Sequence, residues 1–400
     1  MNGIAFYAGS FDPFTIGHFR IVCEALCSYD KVIIGIGNNP SKQPLFGAED
    51  RKKLIQCSLL DFWDLLQNQQ LCNYQFSASE KKALERLQHD SECVEVVIYQ
   101  GLTVDAALQN NAGCLIRGQR NQTDEVQEKY LSVINGRLLD IRHRCLKTEV
   151  IPVSDENLAV VSSSTVKNLC AVGEYIAAMA YVAPSVHNAL MKKYLRQIFV
   201  NAYCGAVPGY FNGQPETAWY ELCRAYETRA YHNLSHLAYG INYFNIYCRL
   251  WENLPDIKPA EFLFGWFYHD FVVGCKNAEE QSVAKIANLL YLDRKTIPEL
   301  IRATVHSPDV VRTTEAQELI NDIDLMILSD DANYGRYSLG IRREYAGVKT
   351  DSYAAGRIKF LQKQLETDIF RSMFFKCLLL EEDARANMQK ELQYWQNLCK

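Results

Sequence analysis

Ala8-Gly9-Ser10-Phe11-Asp12-Pro13-Phe14-Thr15-Ile16-Gly17-His18 is the stretch that decides the fold of the first half of this chain. It follows the short apolar run Ile4 to Ala8 and opens a segment whose apolar residues recur at helical spacing, so it reads as a strand-to-helix turn. Gly and Pro permit a tight turn, and a helix N-terminus presents unpaired N–H groups and the positive end of its dipole to an anion. The turn is therefore a place for phosphate. His18, in the first helical turn, adds a donor for charge developing on a phosphoryl oxygen, and Ser10 brings a hydroxyl to the same spot. Taken alone, such a turn is as readily a plain connection.

Working outward, the runs Lys31 to Gly37, Val94 to Tyr99, Cys114 to Arg117 and Glu149 to Val153 read as further buried strands, alternating with helical patterns. That alternation predicts an α/β, Rossmann-like, doubly wound parallel sheet. Asn39-Pro40-Ser41-Lys42 then follows the second strand, Leu115-Ile116-Arg117-Gly118-Gln119-Arg120 ends the fourth, and Ser162-Ser163-Ser164-Thr165-Val166-Lys167 opens a helix after the fifth. In a parallel sheet all of these meet the first turn at the C-terminal strand edge, where ligands bind. The Gln-rich stretch Leu60 to Glu92 reads as an insertion with some helix of its own.

After about Arg196 the strand-like runs disappear. Gly205 to Pro215 is turn-rich, a linker or an early loop, and from Trp219 onward the apolar spacing is helical, with long segments at Asp351 to Gln364 and Glu381 to Leu398. Two domains are expected, 1–196 and an all-α 197–400. With 400 residues, 48% apolar and 22% charged, the composition is that of a folded protein. The 42 Lys and Arg against 47 Asp and Glu give a net charge of −5, and neither domain is basic, which disfavours a nucleic-acid or anionic-membrane binder. No signal peptide or membrane span is visible, and the 14 cysteines are scattered without a C-x-x-C, so reduced thiols and a cytoplasmic location are expected.

The first-half segments, with Thr15-Ile16-Gly17-His18 as a T/H-x-G-H motif and the tail Val182 to Met191, resemble phosphopantetheine adenylyltransferase of the nucleotidyltransferase superfamily over about residues 1–196. The resemblance implies attack of the 4′-phosphate of 4′-phosphopantetheine on the α-phosphorus of ATP, with Mg²⁺ assisting, giving dephospho-coenzyme A and pyrophosphate. It implies that His18 stabilises the transition state, with Lys42 and Arg117 also catalytic, and that Ser10, Lys42, Thr103 and Arg117 hold the acceptor. ATP would be held by Ser10, Phe11, His18, Gly118, Gln119, Arg120, Glu128, Ser162, Ser163 and Ser164. A nicotinate or nicotinamide mononucleotide adenylyltransferase shares the cradle but usually has His where Thr15 stands.

In the second half, Tyr231-His232-Asn233-Leu234-Ser235-His236 sets two histidines at i and i+4, one helical turn apart and on the same face. Phe267-Tyr268-His269-Asp270, His306 and Asp322-Ile323-Asp324-Leu325 follow. A lone histidine is far more often structural than a ligand, but imidazoles with carboxylates suit Mn²⁺, Fe²⁺, Zn²⁺ or Mg²⁺. The set resembles the HD superfamily of metal-dependent phosphohydrolases from about Trp219 to Leu398, including Arg342-Arg343-Glu344-Tyr345 and Ala384-Arg385-Ala386-Asn387. The resemblance implies that His236, His269, Asp270 and Asp324 bind a divalent metal and that His232 protonates the leaving oxygen of a phosphate-ester substrate. Asp322 competes with Asp324, and Glu280 and His306 are either substrate-side contacts or structural.

The expected protein is thus an adenylyltransferase fused to an HD phosphohydrolase. The alternative is that one domain is a binding module, with the first acting as a nucleotide sensor that regulates the second. The adenylyltransferase family tends to form hexamers, which makes a homo-oligomer an expectation that the helical half and the insertion leave open.

Overall fold

A computed structural model describes residues 3–38, 43–69, 74–119, 133–141, 145–152, 161–207, 214–251, 257–287, 289, 295–307 and 310–399. Of the expected site residues, Lys42, Arg120, Glu128 and the side chain of Gln119 lie outside that description. The chain divides into two compact units, one of Met1–Gln67 with Gln75–His187 and the other of Asn68–Tyr74 with Asn188–Lys400.

Among the described residues the first unit has five strands, β1 (Ile4–Gly9), β2 (Lys31–Gly37), β3 (Val94–Tyr99), β4 (Cys114–Gln119) and β5 (Lys147–Pro152). All pair in parallel, in the order β3-β2-β1-β4-β5. β1 and β2 are buried along nearly their whole length, which is why they read as continuous apolar runs rather than alternating ones. Sheet building runs outward from β1 through β2 to β3, then returns to place β4 on the other side of β1. This reversal puts a crevice outside the C-terminal ends of β1 and β4.

Helix α1 (Ile16–Ser28) follows the decisive turn and is buried on two sides, through Ile16, Phe19, Val22, Cys23 and Leu26 on one and Gly17, Ile21 and Ala25 on the other. α2 (Ala48–Gln67) and α3 (Ala78–His89) contain most of the expected insertion. Both are integral to the packing: Phe62 of α2 stacks on Phe19 at 4.0 Å, and Glu80 of α3 pairs with Arg20 at 3.1 Å. α4 (Thr103–Gln109), α5 (Ser163–Ala171) and α6 (Tyr175–Met179) complete the labelled helices that lie wholly in this unit. α7 (Pro184–Ala206) contains the division between the units, and the expected boundary at Arg196 falls in the same helix. Gly205 and Ala206 are still helical, so the turn-rich reading of that stretch does not hold at its start.

Every labelled element of the second unit is helical, from α8 (Gln214–Tyr226), α9 (Leu234–Leu250) and α10 (Pro259–Tyr268) through α11 (Ala278–Ile286), α12 (Thr296–Ala303) and α13 (Glu315–Leu325). α14 (Tyr334–Glu344), α15 (Thr350–Leu365), α16 (Met373–Leu378) and α17 (Glu381–Leu398) complete it. α9 and α10 meet at Gly240, where a Cβ would lie 2.1 Å from the Trp266 ring, so only glycine admits the indole. Among the described residues no helix is long and apolar enough to cross a membrane.

Candidate functional sites

In the first unit, the turn between β1 and α1 is held rigid from several directions. Phe11 has a left-handed backbone (φ 49°) and a buried ring packed edge-on against Tyr7 and His18, so any contact it makes with a nucleotide runs through its backbone. The buried Asp12 carboxylate accepts from the backbone N–H groups of Leu45 (2.9 Å) and Phe46 (3.0 Å), and Lys167 of α5 approaches it at 3.4 Å. Ser163 of α5 donates to the Pro13 carbonyl at 2.7 Å, and Arg51 of α2 donates to the Ser10 carbonyl at 2.6 Å. The N-terminal ends of α1 and α5 are thereby drawn to one place at the sheet's switch point.

His18 is set by the cap of α1. The Thr15 backbone N–H donates to His18 Nδ1 at 3.0 Å, and Thr15 Oγ1 lies 2.9 Å from the same nitrogen. Because Nδ1 accepts, the neutral ring carries its proton on Nε2, the nitrogen that a donor role requires. Stacking on Phe14, with ring centroids 5.6 Å apart, fixes the ring plane.

The remaining described candidates lie in this turn, shortly after β3, at the end of β4 and at the start of α5. Ser10 is exposed, and Arg117 and Gly118 lie at the C-terminal end of β4, beside the end of β1. A Cβ at Gly118 would come 2.2 Å from Ile21 Cδ1, so a larger residue there would displace the end of the Ile21 side chain. Thr103 begins α4 with its hydroxyl 2.8 Å from Tyr99 Oη. Ser162 caps α5 by accepting from the Thr165 N–H at 3.0 Å, Ser163 is engaged with Pro13, and Ser164 is exposed. The anchoring role of Asp12 was not legible in sequence, because its partners stand more than thirty positions away.

The second unit gathers its candidates from different helices. His236 sits in the first turn of α9, His269 and Asp270 directly follow α10, and Asp324 lies in the last turn of α13. One ligand atom from each lies within 4.8 Å of all the others. His269 Nε2 is 3.1 Å from Asp270 Oδ2 and 3.6 Å from Asp324 Oδ1, while His236 Nε2 is 3.3 Å from Asp324 Oδ1 and 3.1 Å from His269 Nε2. Two imidazoles and two carboxylates converging on a buried point form a donor set that fits a divalent cation. His269 Nδ1 donates to the Trp266 carbonyl at 2.6 Å, which turns Nε2 toward the carboxylates.

Burial disfavours charge throughout this cluster, yet at these separations mutual attraction prevails for three of the four. Desolvation opposes the charged form of His269, but Asp270 and Asp324 hold it protonated up to about pH 10. Both carboxyls are likewise desolvated, yet chiefly His269 keeps them well below the usual carboxylate range. Burial pushes His236 down, and the neighbouring His269 adds to the effect.

The i and i+4 reading of His232 and His236 is corrected. Asn233 caps α9, its side chain accepting from the Ser235 N–H at 2.8 Å, so the helix starts after His232 and the two rings do not share a helical face. The strong capping preference of Asn ends the helix there. His232 nonetheless reaches the cluster: Nε2 is 3.8 Å from Asp270 Oδ2, and Nδ1 is 2.6 Å from Glu344 Oε2. Glu344 also accepts from the backbone N–H groups of Tyr231 (2.8 Å) and His232 (2.9 Å). Desolvation would lower the His232 pKa, but Asp270 and Glu344 raise it.

His306 Nε2 stands 3.3 Å from Asp324 Oδ2. Glu280 is paired with Arg302 at 3.0 Å. Asp322 is turned elsewhere, accepting from the backbone N–H groups of Arg371 (2.8 Å) and Ser372 (2.7 Å). Glu344 belongs to the Arg342-Arg343-Glu344-Tyr345 segment, and no spacing in the sequence singles it out.

Comparison with known proteins bears on the first unit. The cytidylyltransferase-like family matches residues 6–169. A phosphopantetheine adenylyltransferase of Rhizobium rhizogenes is 32% identical over 189 residues, which is 47% of this chain and 95% of that protein. One from Porphyromonas gingivalis is 34% identical over 172 residues, 43% of this chain and 90% of that protein. Among solved structures, Plasmodium falciparum nicotinic acid mononucleotide adenylyltransferase complexed with NaAD aligns over 49% of this chain and 97% of its own, at 15% identity and a TM-score of 0.27, too remote to carry an argument. With nearly the full length of curated relatives matched above 30% identity, the chain belongs, through its N-terminal nucleotidyltransferase domain, to the phosphopantetheine adenylyltransferase family.

Proposed function

We propose that the first unit transfers AMP from ATP to 4′-phosphopantetheine and that the second is an HD-type metal-dependent phosphohydrolase. What carries the first reading is the tautomer of His18 at an anchored turn, in a chain whose relatives are phosphopantetheine adenylyltransferases. An oxygen of the acceptor's 4′-phosphate attacks the α-phosphorus of ATP, and the bond to the bridging oxygen breaks, releasing pyrophosphate. His18 Nε2–H donates to the phosphoryl oxygen on which charge develops. The N-terminal ends of α1 and α5 supply N–H groups to the nucleotide phosphates, while Lys42 and Arg117, with Ser10 and Thr103, hold the acceptor. Chemistry of this kind is mainly positioning and charge stabilisation, which accords with so heavily braced a turn.

Pyrophosphate release from Mg²⁺-ATP, compared with 4′-phosphopantetheine, with nicotinate mononucleotide and with no acceptor, tests this reading. Release with phosphopantetheine, giving dephospho-coenzyme A by mass, is expected. Release only with nicotinate mononucleotide would replace the acceptor, and ATP binding without turnover of either would favour the sensor.

For the second unit, the carrying observation is the meeting of His236, His269, Asp270 and Asp324, with His232 beside them. These four would hold a divalent cation, which when bound supplies a Lewis acid for a phosphoryl oxygen and activates water. Glu344 holds His232 by Nδ1, leaving Nε2 on the cluster side, where it can protonate the departing oxygen. Hydrolysis of phosphate esters that depends on added Mn²⁺ and stops with chelator is expected. A metal-loaded protein inert toward every ester would make this a structural metal site.

A further inference from the structure

Beside the four-residue cluster, the second unit contains a cavity of about 500 Å³. His232, His306 and Asp324 form its polar end. The rest is largely aromatic and aliphatic, with Tyr231, Tyr337, Tyr345, Tyr353 and Phe360 among the lining residues. Its volume lies within the range of pockets that enclose a small organic molecule.

Two features restrict what fits. Arg357 is the lining's cationic side chain away from the polar end, and its charge is already met by Glu391, with both Nε and Nη2 donating at 2.9 Å. Among the described residues that line it, the far wall therefore offers no spare cation for a second phosphate or a carboxylate. The second feature is Tyr353, a buried residue whose hydroxyl has no hydrogen-bond partner. An unsatisfied buried hydroxyl is costly, and a polar atom of a bound molecule is one means of satisfying it.

We infer that this cavity takes the organic part of the phosphate ester, and that this part is uncharged and carries an aromatic ring with a hydrogen-bonding substituent. The phosphoryl group then lies at the polar end, against the residues that would hold the cation, and rings pack offset or edge-on against the tyrosines. Hydrolysis breaks the bond between phosphorus and the ester oxygen. Water supplies the oxygen that replaces it, and the ester oxygen leaves with a proton from His232. This substrate class rests on the phosphohydrolase reading.

The test uses full-length protein with Mn²⁺ and two esters, 1-naphthyl phosphate and glycerol 3-phosphate, in wild type, Tyr345→Ala and Tyr353→Phe. Tyr345 is partly exposed and Tyr353→Phe keeps the ring, so both variants should fold, which melting temperatures check. Wild type should prefer the aromatic ester, and Tyr345→Ala should raise the aromatic-to-aliphatic ratio of KM values about fivefold. Tyr353→Phe, measured with a hydroxyl-bearing naphthyl phosphate, should raise KM about fivefold without lowering the melting temperature. Equal handling of both esters by wild type, or an unchanged ratio in Tyr345→Ala, would overturn the inference even if hydrolysis is metal-dependent. Calorimetry covers the opposite failure: aromatic-selective binding that weakens in the variants, without turnover, would support the cavity assignment and remove the hydrolase. Neither binding nor turnover would remove both.

Discussion

The first unit builds its site from backbone, whereas the second builds its site from charged side chains. At the turn after β1 the N-terminal ends of α1 and α5 come together, and the side chains that brace them, Asp12, Ser163 and Arg51, are bonded to backbone atoms. In the second unit, two histidines and two aspartates crowd one buried point, and a third histidine is held beside them by Glu344. The contrast accords with the ligands proposed for each. A nucleotide brings its own charges and needs a preorganised cradle, while a bare cation needs opposite charge already concentrated in a place where water has been removed.

Four changes test this contrast. The largest effect is expected from His269→Ala, which removes a ligand from the charge cluster: metal binding should weaken by at least about 100-fold, read by metal analysis, with circular dichroism confirming the fold. Retention of metal would take His269 out of the ligand set. In the first unit, His18→Ala removes one donor and leaves the cradle in place, so turnover should fall about 10²- to 10³-fold while ATP affinity holds. A parallel loss of ATP binding would show that His18 builds the cradle.

Glu344→Gln should lower ester turnover by about ten- to a hundredfold, part of what a positioned acid contributes, with metal content unchanged. An unaltered pH–rate profile in that variant would remove Glu344 from the proton path. The smallest effect concerns acid stability at the ion pair behind the cavity wall. Glu391 is buried, and although desolvation opposes its charge, Arg357 holds its carboxyl below the usual range. Its folded pKa lies below its unfolded one, so its contribution is present above about pH 4.3 and is lost as pH falls through the folded value. Thermal melts across acid pH should show that loss in wild type and a shallower slope in Glu391→Gln.

The two regions also differ in how far sequence reveals them. The five strands and the first turn were legible because a parallel sheet buries short apolar runs and its sites follow each strand directly in the chain. The Asp12 anchor was not, since its acceptors are occupied by peptide groups at Leu45 and Phe46 and no spacing marks such a return. In the helical unit, His236, His269, Asp270 and Asp324 were named through a family resemblance, and the structure brings them together. Local rules misjudged His232, where the capping preference of Asn233 overrides the helical i and i+4 pattern. The partnership of Glu344 with His232 spans 112 positions and exists only in the folded helices. Asp322 and Asp324 are equivalent as residue types, and only the fold sends one to backbone amides and the other to the histidines.

The most direct test of an adenylyltransferase joined to a separate metal-dependent hydrolase measures both reactions on the same protein. Pyrophosphate release with 4′-phosphopantetheine and Mn²⁺-dependent ester hydrolysis would be followed in wild type, His18→Ala and His269→Ala. Two activities in wild type, with His18→Ala losing only the first and His269→Ala only the second, is the predicted result. Neither activity in folded, metal-loaded wild type, or loss of both reactions in either folded variant, would contradict it.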